Sequence, residues 1–306
     1  MSVRVWYEGT EITADISVSA CVHDLFAESS ADILHLTLND TRRLWDSWNP
    51  KAGERMKVTN GAANIGALYV RQCSPQNGLY EITASSVPET MQERRTKSWA
   101  SVRFLQLAEE IASHSGLTFK TYGVTDQQYK FVAQENRSDA EFLQQRCVLE
   151  GCAFLVYDGA LILYSQKYME QQKPQGILTV ASDSEFVYKD KSGKLFGGAK
   201  VSNGGFTGNY VANPLSQIYK SALPVYISNQ EEADRFARGV LRDLNKGGIT
   251  ATLQTGLLCG YAPGSTVKLQ TSGAASYDGT WFITHMRNDY AAGTTKLFLR
   301  KPLEGY

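Results

Sequence analysis

The sequence predicts an α+β, mainly β chain with two similar small β-barrel domains, an intervening α/β module and a helix associated with the second barrel. Three observations carry this reading. The first ninety residues alternate apolar and polar side chains, the period turns helical near Ser98, and the glycine-punctuated pattern of 53–78 returns at 264–293. The implied bounds are a first, tube-like barrel over 1–97, the module over 98–172, and the second barrel over 173–306, with glycine-rich loops and its helix at about 229–245.

In the first segment, Ile12, Ala14, Ile16 and Val18 alternate with Thr13, Asp15, Ser17 and Ser19, and Leu34, Leu36 and Leu38 with His35 and Thr37. Met56 and Val58 flank Lys57, and Tyr80, Ile82 and Ala84 flank Glu81 and Thr83. A period of two sets one face of a strand into a core and the other against water or a neighbour. Gly53, Asn60-Gly61 and Asn77-Gly78 read as the turns between short strands, the pattern of a small barrel or sandwich.

Phe104, Leu105, Ala108, Ile111 and Ala112 then share one helical face that Gly116 ends. Ser138 with Glu141 three residues on is a capping box, and Gly151 sits where a left-handed C-cap belongs. Asp158-Gly159 between Ala153–Tyr157 and Ala160–Tyr164 suits a type I′ hairpin. The glycines Gly193, Gly197, Gly198, Gly204, Gly205 and Gly208 read as a flexible loop or β corner. A third helix has Ser228 as its cap, Glu231 at the box position and an apolar stripe of Ala233, Phe236, Ala237, Val240, Leu241 and Leu244, and ends at Gly247-Gly248.

The internal echo is more specific than any single element. Gly53-Glu-Arg-Met56-Lys57-Val58 matches Gly264-Ser-Thr-Val267-Lys268-Leu269, with Gly61 and Gly273 following. Gly66-Ala-Leu-Tyr69-Val70-Arg71 then parallels Gly279-Thr-Trp-Phe282-Ile283-Thr284, and Gly78 parallels Gly293. Both copies read as strand–turn–strand–turn–strand units, and two copies are too few for a solenoid.

Composition excludes several classes. Lys+Arg total 31 against 31 Asp+Glu, a zero balance that argues against a polyanion binder and for a subunit of an assembly. With 42% hydrophobic residues the chain has ample core material, which excludes disorder. Five cysteines on a chain this long suit reduced, mostly buried thiols, and the Cys147–Cys152 spacing matches no common zinc site. The N-terminus shows no secretory h-region and no apolar run reaches about 18 residues, so synthesis in the cytoplasm and a soluble subunit with no membrane binding of its own are expected.

Chemistry-bearing motifs are sparse. His23, His35, His114 and His285 fall in separate segments without ligand spacing. No nucleophile elbow, H-E-x-x-H or Walker loop occurs, and Ser192-Gly193-Lys194 lacks the flanking residues of a phosphate cradle. Glu109-Glu110 and Glu231-Glu232 are adjacent helical residues, which point apart and read as solvated. Arg42-Arg43 and Arg94-Arg95-Thr96-Lys97 lie near Trp45, Trp48 and Trp99, but interspersed Asp40, Asp46, Glu89 and Glu93 favour a charged face or subunit contact over specific nucleic-acid binding. No catalytic, cofactor-binding or metal residue is assigned, and no cofactor is expected.

The run Gln134-Glu-Asn136-Arg-Ser138-Asp139-Ala-Glu141-Phe142-Leu143-Gln-Gln-Arg146, closing with Glu150-Gly151-Cys152-Ala153-Phe154, resembles the N-x-S-D-x-x-F-L-x-x-L-x-x-E-G stretch of contractile-tail baseplate hub proteins. That family comprises the phage late control protein D and, more distantly, the type VI secretion spike protein VgrG. Glu232-Ala233-x-x-x-Ala237-x-x-Val240-Leu241, Pro263-Gly264-Ser265-x-Val267, Asp278-Gly279-x-Trp281-x-Ile283 and the ending Leu303-Glu304-Gly305-Tyr306 are also similar. No needle or oligosaccharide-binding module follows the second barrel, which suits a hub whose spike is a separate protein.

The resemblance implies a non-enzymatic homotrimer whose two barrels per chain give six quasi-equivalent positions around a ring. One face would meet the hexameric tail tube or its initiator and the other the trimeric central spike, with baseplate wedge or peripheral proteins outside. The chain would then reside in the tail baseplate of a phage, tailocin or related particle. A tail-associated cell-wall hydrolase and a carbohydrate-binding β protein, stacking sugar on Trp45, Trp48 or Trp99, are the competing classes.

Overall fold

A computed structural model describes residues 3–28, 31–61, 63–203, 205–272 and 277–306, with only the backbone of 46, 47, 63 and 64. Gly204 and Gly273 lie outside the described residues. The first group of elements is β1 (Val3–Tyr7), β2 (Thr10–Glu11), β3 (Ser17–Phe26), β4 (Ile33–Asn39), α1 (Leu44–Trp48), β5 (Arg55–Asn60), β6 (Ala63–Gln76) and β7 (Leu79–Ser85). Next come β8 (Arg94–Arg103), α2 (Phe104–His114), β9 (Thr118–Tyr122), β10 (Gln128–Ser138), α3 (Asp139–Glu150), β11 (Cys152–Tyr157), β12 (Ala160–Ser165) and α4 (Gln166–Glu170). The last group is β13 (Ile177–Val180), β14 (Phe186–Asp190), β15 (Gly198–Asn203), β16 (Phe206–Val211), β17 (Ile218–Ala222), α5 (Gln230–Asn245), β18 (Ile249–Gly256), β19 (Thr266–Thr271), β20 (Gly279–Asp289) and β21 (Thr294–Arg300).

The mainly β expectation holds, but the two barrels do not close. One 13-stranded sheet runs through both halves of the chain. Its first unit has the order β3-β4-β7-β6-β5-β1 and its second β14-β18-β21-β20-β19-β13. Among the described residues no ladder joins the ends of either run. The edge of β3 that would be needed for closure is occupied by β20 of the second unit, and β1 ends on the short β2. Each unit still covers its own core: Val5, Leu34, Leu36, Leu38, Val58, Val70 and Ile82 in the first, and Leu253, Val267, Leu269, Trp281, Ile283, Leu297 and Leu299 in the second. Those side chains occupy alternate strand positions, as the period of two requires.

The echo survives at the level of hydrogen bonds. Gly53 and Gly264 both have φ near +85°, and each opens the strand after it. The Gly53 N–H donates to the Val70 carbonyl and the Val70 N–H to that of Glu54, at 2.9 and 2.8 Å. In the second unit the Gly264 N–H donates to Ile283 and the Ile283 N–H to Ser265, both at 2.9 Å. One residue later each copy carries a β-bulge, at Arg71 against β7 and at Thr284 against β21. A bulge displaces one residue from the ladder and re-aims the strand, so β6 and β20 bend at corresponding points. The units differ in the direction of one strand: β13 runs parallel to β19, whereas β1 runs antiparallel to β5.

The helix near 229–245 was expected on the second barrel and packs elsewhere. Ala233, Phe236 and Ala237 of α5 join the core built by α2 and α3, not the core around Trp281. Two glycines make the approach possible. A Cβ at Gly239 would lie 2.2 Å from the Leu149 carbonyl of α3, and one at Gly208 would lie 1.8 Å from the Ala233 carbonyl of α5. The glycine-rich stretch is in part β structure: Gly198 lies in β15 and Gly208 in β16, which pair antiparallel beneath α5 with β17 parallel to β15, while Gly193 lies in a short 3-10 turn before them. Gly208→Ala forces backbone apart and is expected to destabilise by about 1–3 kcal/mol, read in urea unfolding; a neutral result would contradict this packing.

Local signals mostly hold. Ser138 and Glu141 form the reciprocal capping box, Gly151 takes the left-handed C-cap, and Asp158 and Gly159 both have positive φ, as a type I′ turn demands. Two predictions shift. The strand read at Ile12–Val18 begins only at Ser17, because Asp15 turns back onto the Ile12 carbonyl and the Thr13 hydroxyl receives the Val5 N–H. The α5 cap is Asn229, accepting from the Glu232 N–H, while the Glu232 carboxylate reaches back to the N–H and hydroxyl of Ser228.

Candidate assembly interface

The two units meet where β20 pairs antiparallel with β3, His285 opposite Phe26 through Asp289 opposite Val22. The bulge at Thr284 frees the second half of β20 from β19 and turns it towards β3. Phe26, His285 and Phe298 stack in a row across this junction, with ring centroids 4.4 and 4.3 Å apart. Asp24 lies beneath, with His285 Nε2 at 2.7 Å and Arg287 Nη1 donating at 2.9 Å. Burial raises the Asp24 pKa, but the His285 hydrogen bond and the Arg287 charge outweigh it and hold the carboxyl below its ordinary range. The junction is therefore an ionic and aromatic seam, fixed in register.

A second charged cluster ties the units to the module. Arg300 of β21 sends Nη1 to Glu170 of α4 at 2.5 Å and Nη2 to Glu28, just after β3, at 3.3 Å. Arg242 of α5 also reaches Glu170 at 2.5 Å, and Lys246 reaches Glu28 at 2.5 Å. The Arg300 guanidinium sits 4.2 Å from the Phe282 ring centre. Burial pushes the Glu28 pKa up, and the charges of Arg300 and Lys246 reverse that shift and bring it below the usual value. Four parts of the chain, distant in sequence, converge on two carboxylates.

Between the units and the module lies a cavity of about 430 Å³, lined by Leu25, Phe26, Tyr157, Tyr164, Leu258 and Tyr290, with Asp32 in its wall. The Asp32 carboxylate accepts the Phe26 N–H at 2.9 Å, and burial pushes its pKa up to about 7.

The residues weighed from sequence are scattered. His23 is wholly buried and burial pushes it down to about 3, which keeps it neutral. His35 faces Thr83 on β7, His114 lies 3.1 Å from Asp139, and His285 belongs to the junction. Glu232 is not solvated, being 3% exposed at its cap, while Glu110, still 38% exposed, pairs with Lys97 and accepts the Trp99 indole N–H at 2.8 Å. Trp45 and Trp99 are buried, stacked on Tyr80 and Phe142, so of the three tryptophans proposed for sugar stacking Trp48 alone is exposed. Cys147 and Cys152 are buried free thiols, as is Cys21, whereas Cys73 is half-buried and Cys259 exposed. Among the described residues no group of His, Cys, Asp or Glu could hold a metal ion, and no helix is long and apolar enough to cross a membrane.

Asp24, Glu28, Glu170, Arg242 and Arg300 were missed. Their only sequence signal is a charge set inside an apolar strand or helix, as Arg300 follows Leu297 and Leu299.

The whole-chain arrangement has known counterparts. It superposes on the tail protein of Neisseria meningitidis with a TM-score of 0.75, covering 97% of this chain and 95% of that one at 14% identity. The chain has the fold of a phage tail protein. The 43 kDa tail protein of prophage MuSo2 from Shewanella oneidensis matches at a TM-score of 0.72 over 98% of each chain, with 12% identity. An Escherichia coli component of the type VI secretion system, described as structurally similar to the T4 bacteriophage tail proteins gp27 and gp5, matches at 0.63 over 99% of this chain and 78% of that one, with 14% identity. No sequence-family profile matches, and neither does any curated protein sequence. The tail-protein fold is thus carried here by a sequence far from its counterparts.

Proposed function

We propose that this chain is a structural hub subunit in the tail baseplate of a contractile injection apparatus, the particle in which it resides. Three copies form a ring with six quasi-equivalent units, which joins a hexameric tail tube or its initiator on one face to a trimeric central spike on the other. Wedge or peripheral baseplate proteins lie outside. The observation that carries this reading is the repeated six-strand order within one chain, on a backbone that matches phage tail proteins over nearly its full length. Two like units per chain convert a threefold partner into a near-sixfold one without a second gene product. The exposed surface of 14722 Å² exceeds the roughly 13,000 Å² that a compact monomer of this mass presents, as suits a subunit with faces left for partners. The buried charges at the junction and at Glu170 serve packing, which supports a structural role. Negative-stain images of the purified chain are expected to show annular particles with six lobes. Dispersed monomers at high concentration would overturn the proposal.

A further inference from the structure

The two units differ at one edge each, and the differences are complementary. In the second unit, β20 is shared: its first half pairs with β19 and its second half, from His285 to Asp289, pairs with β3 of the first unit. In the first unit the first half of β6 pairs with β5, but Gln72 to Gln76 has β7 on one side and no strand on the other among the described residues. β14, the counterpart of β3, has β18 on one side and likewise no second neighbour. Each chain thus carries one open seat and one unpaired strand of the kinds already joined at its own centre.

We propose that β14 of one copy of this chain pairs antiparallel with Gln72–Gln76 of β6 in the next, repeating between chains the β3–β20 junction found within one. The inference rests on the ring reading above and names its contact. Such a head-to-tail contact is heterologous and generates a ring when its rotation closes.

The internal junction also fixes the register. Val70 opposite Ala84 corresponds to Ile283 opposite Leu299, so with matching bulges Ser74 takes the place of Arg287. Leu34 lies between Ala84 and His23 as Ala251 lies between Leu299 and Tyr188, so Lys189 takes the place of Asp24. Arg287 faces Asp24 within the chain. Between chains Ser74 therefore faces Lys189, and Gln76 faces Val187.

Backbone polarity provides an independent check. Across the two-residue Asn77-Gly78 loop, Gln76 and Leu79 form the hydrogen-bonded pair, so Gln72, Ser74 and Gln76 bond towards β7 while Cys73 and Pro75 face the open edge. On β14 the Lys191 N–H donates to Gly248, and the Glu185 carbonyl accepts from Gln254, so Phe186, Tyr188 and Asp190 face outward. The register sets Cys73 against Asp190 and Pro75 against Tyr188, outward groups against outward groups. A slip of one residue would set outward groups against inward ones. Pro75 offers its carbonyl alone, and a proline there also blunts the edge against indiscriminate pairing. Val187, 44% exposed on the outer face, gains a neighbour in Gln76.

Cysteine cross-linking tests this. Gln76 and Val187 would be a non-hydrogen-bonded antiparallel pair with Cα atoms about 4.5 Å apart, within disulfide reach. In a Cys259→Ser background, mild oxidation of Gln76→Cys/Val187→Cys is expected to shift the non-reducing gel band from one chain to a multimer of a single final size. The slipped pair Gln76→Cys/Lys189→Cys and each single variant should stay at one chain. If the chain assembles by gel filtration but the matched pair does not cross-link, or the slipped pair links as well, this pairing is overturned and the ring reading stands. If no variant and no parent protein assembles or cross-links, both are overturned.

Discussion

Replacing Arg300 by methionine is expected to lower folding stability by about 2–4 kcal/mol, the loss of charge-assisted hydrogen bonds to two buried carboxylates that each keep one other cation. Arg300 is 2% exposed and is shared by Glu170 and Glu28, carboxylates from the module and from the first unit. Methionine fills a similar volume over Phe282 but leaves Glu170 to Arg242 and Glu28 to Lys246. Adding Glu170→Met should deepen the loss, because Glu170 is the carboxylate that compensates the buried Arg242. Urea unfolding of the two variants reads this directly. A loss below about 1 kcal/mol, typical of exposed ion pairs, would show that the cluster does not hold the three parts together.

The second large effect depends on pH. Unfolded aspartate titrates near 3.9, whereas Asp32 in the folded chain titrates at about 7. Between those values the folded protein keeps a proton that the unfolded chain releases. Its contribution to stability is therefore fully present below about pH 4 and is lost as pH rises through 7. Three units correspond to at most roughly 4 kcal/mol. Asp32→Asn retains an oxygen for the Phe26 N–H and carries no proton to lose. The variant should match the parent protein near pH 4 to within a small offset and become clearly more stable at pH 8. Comparison with the parent cancels the opposite trend of Asp24 and Glu28, whose lowered values favour folding above the ordinary carboxylate range. A difference between variant and parent that does not change with pH would contradict the assignment.

The legible parts of this fold were those set by neighbours in sequence. The Ser138–Glu141 box, the Asp158-Gly159 turn and the alternation in β4 and β7 are local, and each formed as read. The echo was also legible, because positive φ at Gly53 and Gly264 is demanded by the chain's own turn and leaves a glycine in each copy. What failed was long-range. Nothing near β3 announces that β20, over two hundred and fifty residues away, takes its edge, so two closed barrels were expected where one sheet runs through. Gly208 read as part of a flexible loop or β corner because the carbonyl it accommodates, of Ala233, is not apparent from the neighbouring sequence, and Gly239, against the Leu149 carbonyl, drew no notice for the same reason. The charged contacts at Asp24 and Arg300 were hidden for the same reason: each looks like one misplaced charge until its partner arrives from another element.

The central claim is a closed assembly of three chains with two equivalent units each. Native mass spectrometry of the purified protein tests it most directly. The account predicts a dominant species of three times the chain mass of 33.9 kDa, stable to dilution and without higher multiples. A dominant monomer or dimer across the accessible concentration range would contradict it.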